Sequence, residues 1–112
     1  MNRYLLKVAT DFSRTPGPRL VTEGPFSGEQ FRTNVLWPAY KKAQSQGQIL
    51  VVDLDGTAGY GTSFLEEAFG GLIRENGVSL EELKKSMEVV SIENPDFLDE
   101  VNGYMDEAEE NR

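Results

Sequence analysis

The run Ile49-Leu50-Val51-Val52 limits the fold more than any other part of this sequence. It is continuously apolar and rich in β-branched residues. A strand with no polar alternation is hidden on both faces and belongs at the centre of a sheet. A Gly-rich turn, Asp53 to Gly61, follows it. Then comes a helical stripe of Phe64, Leu65, Ala68, Phe69, Leu72 and Ile73. Strand, turn and amphipathic helix in that order mark an α/β domain.

The flanks extend the pattern. Tyr4 to Ala9 reads as a first strand and Arg19-Leu20-Val21-Thr22 as a short second one, separated by the Ser13 to Pro18 breaker. Ser27, with Gln30 three residues on, opens a helix carrying Phe31, Val35, Ala39 and Ala43 at helical spacing. Pro38 falls inside this run and is expected to kink or split it. Gly47 ends it. Trp37 and Tyr40 are expected in the core. Asn76-Gly77 stops the next helix, and Ser79 with Glu82 opens a short one through Lys85. Met87 to Ile92 alternates as a strand. Asn94-Pro95 starts a last helix with Phe97, Leu98, Val101, Met105 and Ala108 on its buried face. The expectation is one domain over residues 1–112. It has a four-stranded mixed sheet, helices mainly on one face, and a frayed acidic tail at 106–112.

Composition narrows the chemistry. The chain has 112 residues, no Cys, no His and a net charge of −8. Thiolate and imidazole catalysis and Cys or His metal sites are absent. The acidic balance disfavours nucleic acid and anionic membrane surfaces. No stretch has the length of a membrane span, and the expected compartment is the cytoplasm.

Two short motifs invite other readings. Asp53-Leu54-Asp55-Gly56-Thr57 after an apolar strand resembles the nucleophile segment of haloacid-dehalogenase-like phosphatases. That resemblance makes Asp53 the nucleophile and Asp55 the proton donor beside magnesium. Such enzymes bring a further acidic pair, whereas the last strand here runs into Ser91-Ile92-Glu93-Asn94. The aspartates are expected to stabilise the turn. Gly56, Gly59 and Gly61 precede a helix, as in phosphate loops, but the nucleotide-loop lysine is missing and two carboxylates lie close by. They are expected to serve positive φ.

A resemblance of wider extent covers roughly Tyr4 to Tyr104. The stretch Val51 to Leu72, containing Ser63-Phe64-Leu65-Glu66-Glu67-Ala68-Phe69-Gly70-Gly71, is similar to the centre of STAS-like domains. So are Phe26-Ser27-Gly28-Glu29-Gln30-Phe31-Arg32 and Leu36-Trp37-Pro38-Ala39. The nearest likeness is to an uncharacterised bacterial and phage-associated group. STAS-like anti-sigma-factor antagonists work by partner switching, in which an ATPase-related kinase phosphorylates a Ser or Thr at the start of the helix after the central strand.

The resemblance implies a non-enzymatic regulatory domain with a protein partner, an ATPase or kinase-like regulator, and no cofactor or metal. It implies phosphoacceptors at Thr62 and Ser63, with Asp55, Gly59, Tyr60, Gly61, Phe64 and Glu66 around them as partner-binding candidates. Gly61 and Phe64 replace the Asp and Gly that flank the acceptor pair in the antagonists. The alternatives are the small magnesium-dependent phosphatase and a constitutive interaction subunit. Locally, Ser63 with Glu66 fits a capping box, and Gly70-Gly71 inside a helix points to close packing.

Overall fold

Hidden apolar strands need neighbours on both sides, and Ile49–Asp53 has them. The computed structural model describes residues 2–112. Its sheet comprises β1 (Arg3–Lys7), β2 (Ile49–Asp53) and β3 (Met87–Val90) in the order β1-β2-β3, with both pairings parallel. Leu5 pairs with Val51, and Val51 with Glu88. Parallel neighbours require crossovers, and these are helical. After a helical turn α1 (Val8–Asp11), the first crossover carries α2 (residues 28–45). The second carries α3 (residues 62–74) and α4 (Leu80–Ser86). The last helix is α5 (Asp96–Glu110).

The sheet therefore has three parallel strands, not the four of a mixed sheet. The missing strand is Arg19-Leu20-Val21-Thr22, whose second half falls in a 3-10 turn, Val21–Glu23. Its backbone is taken up by the start of α2. The Leu20 N–H donates to Glu23 Oε1 (2.9 Å) and the Val21 N–H to Glu29 Oε1 (3.0 Å). The Pro18 and Arg19 carbonyls accept from the Gly28 and Glu29 N–H groups. Each backbone donor and acceptor needs one partner, and here side chains and a helix end supply it before a ladder can.

Alternation sorts the strand residues. Leu6, Leu50, Val52 and Met87 join the core with Phe31, Leu36, Tyr40, Phe64, Phe69, Leu72 and Val101, while Tyr4 and Val89 pack against it. Arg3, Leu5, Val51 and Glu88 lie on the opposite face, where Leu5 is 54% exposed. Val51 is buried there nonetheless, between strands on both sides.

Most local signals hold. The Ser27 hydroxyl accepts from the Gln30 N–H and the Ser79 hydroxyl from the Glu82 N–H, both at helix starts. Asn94 Oδ1 accepts from the Asp96 N–H. Three differ. Pro38 does not end α2, because the preceding turn, Arg32–Leu36, widens to the π form and the helix continues to Ser45. A proline lacks an N–H and its ring crowds the carbonyl four residues back, and a wider turn relieves both. Val8 and Ala9 belong to α1, not β1, and β3 ends at Val90, short of Ile92. The acidic tail is helical through Glu110, since Met105 and Ala108 are buried.

Candidate functional site

The turn from β2 to α3 is held by its own carboxylates. Asp53 Oδ1 accepts from the Asp55 N–H (2.9 Å). Both Asp55 oxygens accept backbone donors from the segment after β3, Ile92 N–H at 3.1 Å and Glu93 N–H at 3.0 Å. Glu93 returns the contact by accepting from the Gly56 N–H (2.8 Å). The aspartates thus clamp the turn to the neighbouring loop, as expected from the bland reading of the Asp-x-Asp motif. Among the described residues, no group of three or more His, Cys, Asp or Glu is placed to hold a metal ion.

Gly56 (φ +90) and Gly59 (φ +128) adopt backbone angles that suit glycine. Gly61 does not; at φ −74 it is the N-cap of α3. Tyr60 is half-buried and donates its hydroxyl to the Leu54 carbonyl (2.8 Å). Burial, then the charges of Asp53, Asp55 and Glu93, pushes its ionisation far above the usual tyrosine range, so it remains a donor.

Thr62 and Ser63 are both exposed in the first turn of α3. The Ser63–Glu66 capping box does not form, because the helix begins two residues earlier, with Gly61 as its cap, and makes no side-chain cap hydrogen bond. Thr62 lies beside the Tyr104 hydroxyl of α5, whose ionisation is raised by burial and by Glu100 and Glu66 and opposed by Thr62. Phe64 is in the core at 1% exposure and stacks on Phe31 (5.7 Å), so it supports the site from beneath and offers no surface to a partner.

Glu66 belongs to a charge cluster that the sequence did not disclose. It pairs with Arg19 and with Arg74 (2.6 Å). Burial works to raise its carboxyl, but the hydrogen bonds and charges of Arg74 and Arg19 prevail and hold it below the usual range. Glu67 is buried and pairs with buried Arg32 at 2.9 Å. Arg32 also donates to the Glu67 carbonyl (3.2 Å) and to Asn76 Oδ1 (3.1 Å). The pair joins the π turns of the two helices, Arg32–Leu36 and Glu66–Gly70. A π turn often marks a functional position or an inserted constraint.

The signal for this cluster was Gly70-Gly71. A Cβ on Gly71 would stand 2.4 Å from Arg32 Nε, and one on Gly70 would stand 2.6 Å from Glu66 Oε2. Gly71 gives passage to an arginine side chain, and Gly70 to the Glu66 carboxylate. Close packing was the right expectation, but the partner is a guanidinium crossing from α2. Gly28 does the same service at the helix start, where a Cβ would meet the Phe64 carbonyl at 2.6 Å.

A three-stranded parallel sheet with a hydroxyl pair at the start of the helix after its central strand defines a small α/β domain with an exposed helix-start site. The family follows from comparison with known proteins. A family model described as STAS-like domain of unknown function (DUF4325) matches residues 27–97, and the chain belongs to that family. The match takes in α2, β2, the clamped turn, α3 and β3. No curated protein matches the chain, and no solved structure does. No helix of the described residues is long and apolar enough to cross a membrane.

Proposed function

We propose that this domain is a non-enzymatic regulatory module. It binds a protein partner through the start of α3 and the turn before it, and phosphorylation of Thr62 or Ser63 releases that partner. The observation that carries this reading is the exposure of both hydroxyls at the head of α3, on a turn fixed from both sides by Asp53, Asp55 and Glu93. A rigid platform with accessible acceptors suits a reversible surface switch. The resemblance to the anti-sigma-factor antagonists gives the reading its precedent.

A phosphate adds about −1.5 to −2 charges and three acceptor oxygens. At a helix start it meets free N–H groups, so the domain stays folded. Around Thr62 it joins Glu66 and Glu100, deepening the negative surface that a partner must approach. Asp55, Gly59, Tyr60 and Glu66 frame this surface, and the kinase in this reading is the ATPase-related regulator or an associate of it.

The test is capture from the native host with wild type and Thr62→Glu, read by mass spectrometry with the modification state of Thr62 and Ser63. The captured partner is then titrated as purified protein by calorimetry. The expected result is a partner held by wild type and by Thr62→Ala and lost by Thr62→Glu, with phosphate found on one hydroxyl. Equal binding by all forms, with neither hydroxyl modified, removes the switch and leaves a constitutive interaction subunit.

A further inference from the structure

β1 is an edge strand, and its hydrogen-bonding parity is fixed. The Ile49 N–H donates to the Asn2 carbonyl (3.0 Å), so the backbone groups of Asn2, Tyr4 and Leu6 face β2. Those of Arg3, Leu5 and Lys7 face outward. The Lys7 N–H is covered by the Asp11 carboxylate (2.8 Å), and its carbonyl starts α1. Arg3 and Leu5 are left with N–H and C=O groups for which no protein partner is found among the described residues.

These groups open into a groove of about 570 Å³ between β1 and α2, walled by Val35, Pro38, Ala39, Asn34 and Lys42. The hollow beside the opposite edge, β3, measures about 230 Å³. The β1 groove has the apolar wall and free strand edge that an added strand uses.

Charge says what fits it. Residues 1–48 hold seven Arg and Lys against three Asp and Glu, a net of +4, while residues 49–112 hold four against sixteen, a net of −12. Beside the groove, Lys7 and Lys42 have no carboxylate partner among the described residues. Lys42 lies over the Tyr4 ring, and the groove's acid, Asp11, is held by the Lys7 N–H. A second copy is disfavoured: antiparallel self-pairing centred on Leu5 sets Arg3 against Lys7 of the other chain, and like charges directly opposite repel.

We propose that the outer edge of β1 accepts an extended acidic segment of a partner protein as a fourth strand, with its alternate apolar residues in the groove between β1 and α2. The surface is separate from Thr62 and stands whether or not that switch operates.

The test uses the full chain labelled with ¹⁵N and three synthetic peptides. One is Glu/Val/Thr-alternating with acidic ends, one has the ends exchanged for Lys, and one carries a central Pro. The acidic peptide is expected to bind and to slow amide exchange at Arg3 and Leu5, while Tyr4 and Leu6 are already protected. Lys42→Glu, on the helix surface, is expected to weaken binding about tenfold with unchanged thermal unfolding, and added salt to weaken it further. Equal binding of the Lys-ended or Pro-interrupted peptide overturns the proposal. So does protection at β3 instead of β1, or no binding at millimolar peptide. Protection of Arg3 and Leu5 without peptide, with a dimer in sedimentation, assigns the edge to a second copy and also overturns it.

Discussion

Leu5 and Leu6 are the same residue, adjacent on one strand, and they have opposite fates. Leu6 is 4% exposed within the core, while Leu5 is 54% exposed on the other face of the sheet. The two Arg–Glu pairs repeat the contrast. Arg32 and Glu67 are 7% and 10% exposed between α2 and α3, whereas Arg3 and Glu88, which meet across the face that carries Leu5, are 57% and 48% exposed. Identical chemistry has different energetic weight on the two sides, because solvent screens one and is excluded from the other. Stability is concentrated on the core side, which leaves the Leu5 face and the β1 edge freer to change without loss of the fold.

The sharpest way to break this comparison is the pair of ion-pair deletions. Glu67→Ala strands a buried guanidinium and is expected to cost about 3–5 kcal/mol, whereas Arg3→Ala is expected to cost about 0–1 kcal/mol, both by urea unfolding. Similar losses would show that Arg32 reaches solvent after all. Next come the neighbouring leucines. Leu6→Ala is expected to cost about 2–5 kcal/mol and Leu5→Ala within about 0.5 kcal/mol.

Gly71→Ala sharpens the point inside α3. Alanine favours a helix by up to about 1 kcal/mol over glycine, but its methyl meets the Arg32 side chain at 2.4 Å, so net destabilisation of about 1–3 kcal/mol is expected. A net gain in Tm would mean that Arg32 moves aside freely. Ser27→Ala, which removes the cap at the start of α2, is expected to cost about 1 kcal/mol.

The smallest effect is acid sensitivity. Glu66 is held below the usual carboxylate range in the folded chain. Its contribution is complete above the unfolded carboxylate pKa and is lost as pH falls through the lower folded value. Arg74→Ala, which removes a main partner, is expected to flatten that part of the stability-against-pH curve, leaving the neutral region less changed. An unaltered acid limb would show that Arg19 alone suffices.

Elements governed by neighbours in sequence were legible. The caps at Ser27 and Ser79, the positive-φ glycines at 56 and 59, the central strand and the apolar stripes all follow rules acting over a few residues, and the structure bears them out. The clamping role of Asp53 and Asp55 was legible for the same reason, although the loop they bind was not. Periodicity placed Phe64 correctly in the apolar stripe, and it was the resemblance that offered it to a partner; at 1% exposure it serves the core. The segment at 19–22 has strand-like residues, but Glu23 and Glu29 captured its N–H groups. Side-chain competition of that kind has no periodicity to betray it.

What the sequence by itself determined is the α/β class, the centre of the sheet, and the hydroxyl pair at a helix start after it. What only the tertiary structure decided is which distant groups meet. Arg32 and Glu67 lie 35 residues apart and are joined because glycines at 28 and 71 let α2 and α3 approach. The sheet closes at three strands because the segment at 19–22 is bound to the start of α2 and not to a strand, and β1 is left with a free edge. Local conformational preference acts through the covalent chain and is written in order. Pairing across space depends on which surfaces can be buried together once those elements exist.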